Sequence, residues 1–206
     1  MRKTDTYPQA LAVGHQAAKS KATRDKFVSA AIRIIKADGF AAASSSRIAR
    51  EAGVTWGAAQ HHFGNKDAIL QEVLERSHQV FRQTLDDPGF VVGRPAERVR
   101  RYVSAAWDHY SGDLFMAALE ILLAWRGHAG SPSDQFFRHS RADHLGITRR
   151  IFHDSPASDA KLHEAIYCVH CMFSGLLVES TLERGNFHAG PYIGHLEKLV
   201  HNLLYP

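Results

Sequence analysis

The sequence predicts an all-α protein, and three observations lead to this prediction. From residue 23 onward, apolar residues recur at the three- and four-residue spacing of helices. No run alternates with period two for long enough to predict a strand. Breaks that contain glycine or proline separate the helical segments. The 206 residues, 45% hydrophobic and 22% charged, are enough for one or two domains with a sizeable core.

The first sustained helical pattern starts at Thr23, which we expect to cap a helix that ends at Gly39. Its buried stripe consists of Phe27, Ala31, Ile34 and Ile35. Residues 1–22 show no sustained period, so they are predicted to form a flexible basic arm.

Two short helices follow this first helix. One is capped by a serine after residues 41–43, buries Ile48 and Ala49, and ends at Gly53. The other is capped by Thr55 and ends at Phe63. Two helices joined by a turn of about three or four residues that contains glycine are typical of a helix-turn-helix. We therefore predict a helix-turn-helix domain over residues 23–66.

The rest of the chain, residues 67–206, is predicted to be one helical domain. A longer helix runs to about residue 85 and ends in an Asp-Asp-Pro-Gly segment. Further helical patterns follow at about 96–110, 113–127, 133–153, 159–184 and 191–204.

Positive charge is concentrated at the start of the chain. The first fifty residues contain ten Lys and Arg against three acids, although the whole chain has a net charge of only +4. Such a basic segment suits a polyanionic partner, but charge alone equally allows a solvated arm. Lys19, Lys21 and Arg24 could contact phosphates or enter a minor groove, or have no role.

The helix after Thr55 carries side chains that suit DNA contacts. A helix fits the major groove, and its N-terminal residues reach the base edges. Gln60 can bond an adenine edge or a phosphate, or remain solvated, and Gly57 allows a phosphate close to the backbone. Lys66 and Ser44 stand at helix starts, where a phosphate is favoured. The face opposite the core consists of Thr55, Trp56, Gly57, Gln60 and His61.

Residues 23–74 resemble the N-terminal DNA-binding domain of the TetR family of bacterial transcriptional regulators. The resemblance rests on the run from Ile48 to Leu70, with its IAxxAGV, TxG and HF motifs and the following Lys-acid pair. Two positions differ from the family pattern: Ala59-Gln60 replaces the usual Leu-Tyr, and Ser45 replaces a small aliphatic residue. By this resemblance, the DNA contacts are Ser44, Thr55, Trp56, Gly57, Gln60, His61, His62 and Lys66.

The helical domain is expected to bind a small molecule and to dimerise. Aromatic residues spread over its middle helices could line a cavity or form solid core. The candidate ligand-binding residues are Trp107, His109, Tyr110, Phe115, Met116, Trp125, Phe137, Arg141 and His144.

The segment 159–184 is apolar nearly all round, so it needs more cover than one small subunit supplies. We expect it to pair with its copy together with the last helix, although a buried central helix of a monomer is the alternative. The predicted interface residues are Ile166, Val169, Met172, Phe173, Leu176, Leu177, Leu196, Leu199, Val200 and Leu203.

Other classes of protein have little support in the sequence. Cys168 and Cys171 lie in a helical pattern rather than at a redox site, and with Glu164 they offer at most a weak metal set. The apolar stretch from residue 165 to 178 is too short to span a bilayer, and no secretory signal is visible. The usual nucleotide, zinc and hydrolase motifs do not occur. We expect no cofactor and no metal.

The sequence thus predicts a cytoplasmic, non-enzymatic repressor. It would bind double-stranded DNA at a near-palindromic operator as a homodimer and be released by an unknown small-molecule effector. The alternative is an all-α enzyme or small-molecule carrier whose helix-turn-helix is only structural. A third possibility is an architectural protein that binds DNA without sequence preference.

Overall fold

The computed structural model describes the backbone of residues 7–126, 132–183 and 187–206, and the side chains of these residues other than 7–17, 132–139 and 141. Within those ranges the chain forms α-helices and two short 3-10 turns, Phe40–Ala42 and Pro88–Val91, and contains no strand. The all-α prediction is therefore confirmed. The helices are α1 (Tyr7–Asp38), α2 (Ser45–Ala52), α3 (Trp56–Phe63), α4 (Lys66–Leu85), α5 (Pro95–Tyr110), α6 (Asp113–Trp125), α7 (Pro132–Ile151), α8 (Asp159–Leu182) and α9 (Gly190–Leu204).

The helices form two compact units, Met1–Val73 and Leu74–Pro206. The predicted boundary after residue 66 coincides with the start of α4, whereas the units divide inside that helix. The difference has a physical cause, because a sequence break marks the end of a helix and not the end of a core. Ile69, Leu70 and Val73, in the first half of α4, are fully buried and belong to the first unit.

The prediction of a flexible arm that ends before Thr23 is wrong for residues 7–22, because α1 begins at Tyr7. Thr23 does not cap this helix, since its hydroxyl donates to the carbonyl of Lys19 at 3.0 Å, inside the helix. The segment lacks an apolar stripe but is rich in Ala, Gln and Lys, which have high helix propensity. Pro8 is tolerated because it lies in the first turn.

The core of the first unit forms between α1, α2 and α3. The predicted stripe of α1 is buried, and the rings of Phe27 and Phe63 meet edge to face at 5.8 Å between centroids. Ile48 and Ala59 complete the packing from the two short helices. Gly53 has a φ of 68° between α2 and α3, a left-handed conformation that favours glycine and allows the tight turn.

The core of the second unit is built where α5, α8 and α9 meet, and α7 packs on α8. One charged residue lies inside it: the Arg98 side chain is only 3% exposed. Its guanidinium donates to the Asp154 carboxylate, to the Gly93 carbonyl and, at 3.0 Å, to the Tyr205 hydroxyl. These bonds tie the C-terminal end of the chain to α5, and the sequence patterns did not single out this arginine.

Helix α8 corresponds to the predicted helical segment 159–184 and ends two residues earlier, at Leu182. It spans 24 residues, and by length and composition alone it is apolar enough to cross a membrane. The argument that its apolar stretch is too short for a bilayer therefore does not hold for the whole helix. Only 28% of its most apolar 18-residue window is buried inside the chain.

The predicted dimer interface needs correction, because most of its residues face the chain's own core. Their side chains are at most 8% exposed, so they offer almost no surface to a partner. These buried residues are Val169, Phe173, Leu176, Leu177, Leu196 and Val200. Ile166, Met172 and Leu203 are half-buried, and Leu199 alone of the predicted set is exposed. A helix that is apolar all round does not show in its sequence which side its neighbours cover.

Candidate DNA-binding surface and ligand cavity

Both helices of the helix-turn-helix begin with a side-chain cap. The Ser44 hydroxyl accepts the backbone N–H of Arg47, and the Thr55 hydroxyl accepts that of Ala58, each at 3.3 Å. These bonds satisfy donors that have no partner within a helix, and so they determine where each helix starts. The capping positions predicted from the sequence are confirmed.

The start of α3 presents an exposed polar face. Thr55, Gly57, Gln60 and His61 are exposed, Trp56 is half-buried, and Ala59 is fully buried on the opposite side. A Cβ atom added at Gly57 would meet only the Thr55 hydroxyl, at 3.8 Å. Glycine at this position is therefore not required by packing within the protein.

Lys66 is the first residue of α4, and its ammonium lies 5.2 Å from the centroid of the Phe40 ring. This distance is within the range of a cation–π contact and keeps the half-buried side chain beside the 3-10 turn. The preceding residue, Asn65, caps the helix, because its side-chain oxygen accepts the N–H of Ala68 at 2.9 Å. Sequence reasoning missed this cap, although Asn is a preferred capping residue.

His62 is held against α1 rather than presented with the exposed face of α3. Its Nδ1 lies 3.3 Å from the Ser20 hydroxyl, and its carbonyl accepts a bond from Arg24 at 2.7 Å. Arg24 also pairs with Glu72 and lies over the Phe63 ring at 4.3 Å from its centroid. Both residues thus have structural roles inside the first unit, and the structure gives Arg24 no phosphate-binding geometry.

Two further arginines join α1 to α2. Arg33 pairs with Glu51 at 2.8 Å, and Arg47 pairs with Asp38. Exposed ion pairs of this kind contribute little stability individually. Other basic side chains of the unit, at Lys19, Lys21, Lys26, Lys36 and Arg50, are exposed on its surface.

The second unit contains a cavity of about 350 Å³. This is within the usual size range of small-molecule sites. It is lined by Ser77, His78, Phe81, Tyr102, His109, Tyr110, Phe115, Ala118, Leu119, Leu122, Leu123, Arg126, Ser140, His144, His163, Ile166, Tyr167, Val169 and His170.

The structure brings only some of the predicted ligand-binding residues together at this cavity. His109, Tyr110, Phe115 and His144 line it. Trp107, Met116 and Trp125 are absent from its lining, and the Trp107 ring packs on Phe173 at 5.3 Å between centroids instead. Phe137 and Arg141, also predicted, lie outside the described side chains.

Several polar groups of the cavity bond to each other. His78 lies 3.1 Å from the Asp143 carboxylate through Nε2 and 3.1 Å from the Ser140 hydroxyl through Nδ1. The Tyr110 hydroxyl lies 2.9 Å from Nδ1 of His170.

Two histidines of this cavity, His109 and His144, are kept uncharged by their surroundings. Burial lowers the pKa of His109 to about 4, and the neighbouring His78 adds to the effect. Burial also lowers the pKa of His144 to about 4, with further lowering from His78, His109 and His170 that outweighs the opposite effect of Asp143. Both imidazoles are therefore neutral near pH 7.

Sequence reasoning missed much of the cavity wall. Ser77 gave a usable signal, because it is a polar residue in the apolar stripe of α4. His78, Ser140 and His170 gave none, since their positions on three different helices reveal nothing of their proximity. Ile166 and Val169, predicted at a dimer interface, line the cavity.

The weak metal set of Glu164, Cys168 and Cys171 gains no support. Glu164 pairs with Lys161 at 2.7 Å, Cys168 is half-buried, and Cys171 is exposed. In the part of the chain that the structure describes, no three His, Cys, Asp or Glu side chains are grouped to hold a metal ion.

The fold and these two sites together define a class: an all-α protein with an N-terminal helix-turn-helix and a separate helical unit that encloses a cavity. Residues 27–73 match the family model of bacterial regulatory proteins of the tetR family. Residues 27–73 are thus similar to the DNA-binding domain of the TetR family, as the sequence resemblance implied.

Individual relatives agree with this assignment over parts of their length. The chain is 44% identical over 63 residues to the uncharacterized HTH-type transcriptional regulator TtgW of Pseudomonas putida, a match that covers 30% of this chain and 47% of that protein. It is 43% identical over 63 residues to the HTH-type transcriptional regulator SrpR of Pseudomonas putida, covering 30% of each. The chain thus spans less than half the length of these curated relatives.

A solved structure extends the likeness to the whole fold. The transcriptional regulator FadR from Bacillus subtilis, solved in complex with stearoyl-CoA, matches with a TM-score of 0.68 at 16% identity. The match covers 87% of this chain and 98% of that one. At this identity the likeness shows that the second unit shares the fold of such regulators, and no more.

Proposed function

We propose that this protein is a ligand-responsive transcriptional repressor that binds a near-palindromic DNA operator as a homodimer in the bacterial cytoplasm. The observation that carries the proposal is the exposed N-terminal face of α3, formed by Thr55, Gly57, Gln60 and His61 on a basic unit. The family match of residues 27–73 supports the same conclusion.

The residues of this face divide by the part of the DNA that each can contact. Thr55 and Ser44 stand at helix starts, where N–H groups favour a phosphate. Lys66 adds a positive charge at the start of α4, and Gln60 and His61 are exposed for base edges or phosphates. Trp56 supplies one N–H donor and an apolar surface for a sugar or a methyl group.

The absence of an internal reason for Gly57 supports close approach of DNA. A side chain at this position would fit the protein by itself, as the open space around the added Cβ shows. A phosphate drawn against the backbone of α3 supplies the missing reason, because a Cβ would hold it away.

The homodimer requires a different surface from the one predicted. An exposed apolar stripe follows one face of α8 at helical spacing, through Tyr167, Cys171, Gly175, Val178 and Leu182. Tyr192 and Leu199 are exposed on α9, which packs beside α8. We infer that a second copy covers this surface, since α8 is strongly apolar and mostly uncovered within one chain.

The cavity of the second unit is proposed as the effector site. Its volume and its mixture of apolar walls with a few polar groups suit a small molecule. For release from DNA, the effector must bind the DNA-competent and the released conformations with different affinities.

The DNA-binding proposal is tested by incubating the purified protein with random duplexes and sequencing those that it retains. We expect enrichment of one near-palindromic motif and a salt-sensitive gel shift with it. Retention without a motif would indicate an architectural protein instead. Catalytic turnover or small-molecule binding without any DNA retention would select the enzyme or carrier alternative.

The variant Gly57→Ala tests the contact surface with the enriched duplex. We expect thermal stability no lower than that of the original protein, because alanine fits and has higher helix propensity. Affinity for the duplex should fall by about tenfold. Gly146→Ala in α7 is the matched control, since an added Cβ also meets nothing within 4 Å there. Equal affinity of Gly57→Ala and Gly146→Ala for the duplex would exclude α3 from the DNA interface.

A further inference from the structure

One hydrogen-bonding atom of the cavity has no partner. His144 Nε2 is buried without a hydrogen bond, although His144 lines the cavity. The surrounding polar groups are bonded among themselves: His78 with Ser140, and Tyr110 with His170. A buried polar atom without a partner destabilises the protein unless a ligand or a water satisfies it.

The His144 ring packs against neighbouring aromatic rings. The ring centroid lies 5.2 Å from that of His78 and 5.3 Å from that of Phe81, whose ring meets it edge to face. Phe81 in turn stacks on His109, with centroids 4.7 Å apart. Rings from α4 thus pack against His144, which also lines the cavity.

The buried imidazoles of His109 and His144 supply no positive charge for an ionised ligand at pH 7. His78 on α4, His109 on α5 and His170 on α8 face His144, together with Asp143 on α7, whose carboxylate bonds to His78. Burial keeps the His109 and His144 imidazoles neutral at pH 7, since it lowers each pKa to about 4. A carboxylate would lose its hydration here without a counter-charge from these imidazoles, and Asp143, the acidic group that faces His144, is already bonded to His78.

Part of the cavity wall is apolar. Ala118, Leu119 and Leu122 of α6 form it, together with Ile166 of α8. Arg126, at the end of α6, is the only arginine or lysine among the lining residues with described side chains, and it is exposed and bonds to the Leu123 carbonyl. Among the described side chains, the cavity lining therefore combines a histidine that has a buried atom without a hydrogen-bond partner with several apolar residues.

We propose that the cavity binds an uncharged, mainly apolar molecule that carries one hydroxyl group, and that His144 recognises this hydroxyl through Nε2. A hydroxyl can both donate and accept, so it satisfies either tautomer of the imidazole. The proposal rests on the effector role of the cavity, and it adds the chemical class of the effector.

The test compares four probes that share one ring system: biphenyl, 4-phenylphenol, biphenyl-4-carboxylate and biphenyl-4-ylmethylammonium. Their binding to the full-length protein is measured by calorimetry at pH 7.5 without DNA. We expect 4-phenylphenol to bind at least tenfold more tightly than each of the other three. Tighter binding of the carboxylate or the ammonium probe overturns the proposal, and so does failure of all four to bind.

Variants test whether His144 causes the preference for 4-phenylphenol over biphenyl. In His144→Leu the advantage of 4-phenylphenol over biphenyl should fall to about threefold or less, while biphenyl still binds. His144→Gln keeps a hydrogen-bonding group and should retain part of the advantage, which also covers the case in which the leucine variant fails to fold. His153→Leu, at an exposed position outside the cavity lining, is the control and should keep the full preference. An undiminished preference in His144→Leu contradicts the assignment.

Failure of this inference is distinguishable from failure of the proposed function. If 4-phenylphenol binds with the expected preference but does not release the enriched duplex from the protein, the ligand class is supported and the role of the ligand as effector is rejected. If only charged compounds release that duplex from the protein, control of DNA binding by a ligand is supported and the uncharged ligand class is rejected.

Discussion

Acid should destabilise the second unit through two buried imidazoles. Unfolded histidine has a pKa of about 6.5, whereas burial lowers the pKa of both His109 and His144 to about 4. As the pH falls, these imidazoles therefore bind protons in the unfolded chain and not in the folded chain. Stability is fully present above about pH 6.5 and is lost progressively as the pH falls toward about 4.

The size of the effect follows from these two pKa values. Each imidazole changes the free energy of unfolding by at most about 1.4 kcal/mol per pH unit. Between about pH 6 and about pH 5 the expected loss is roughly 1 kcal/mol per imidazole, and about 2 kcal/mol for the pair. This is a large fraction of the stability of an ordinary domain.

The assay is urea unfolding followed by tryptophan fluorescence in a Trp56→Phe background, so that Trp107 and Trp125 report on the second unit. From about pH 6 to about pH 5, His144→Gln should lose roughly 1 kcal/mol less stability than the parent, because one of the two imidazoles is gone. His163→Gln, at an exposed position, is the control. The reasoning would be refuted if His144→Gln and the parent lost the same free energy of unfolding, with the same slope of that free energy against urea concentration.

Two further predictions concern the DNA and the second copy. Lys66→Ala should weaken binding to all duplexes, because it removes one phosphate contact. In gel shifts at several salt concentrations, the slope of log affinity against log salt should fall by about one. An unchanged slope would exclude that contact. Val178→Glu and Leu199→Glu place charges on surfaces that are 43% and 39% exposed, so each variant should stay folded by circular dichroism but become monomeric in ultracentrifugation. A folded variant that remains dimeric would place the dimer contact elsewhere.

Part of the candidate DNA-binding surface could be predicted from the sequence because it depends on neighbours along the chain. The caps at Ser44 and Thr55 bond to residues three positions away, and Gly53 forms the turn between the two helices. The exposed residues of α3 follow from the burial of Ala59 on the opposite side. The contact of His62 with Ser20 was not predicted, because Ser20 lies 42 residues away in a segment predicted to be an arm.

The sequence by itself determined the helices after residue 39 and the helix-turn-helix, because capping, helical spacing and glycine breaks act over a few residues. Only the tertiary structure decided which face of α8 is covered, since periodicity cannot choose a side when a helix is apolar all round. It also decided the cavity: His78, His109, His144 and His170 come from four helices, and long-range packing alone brings them together.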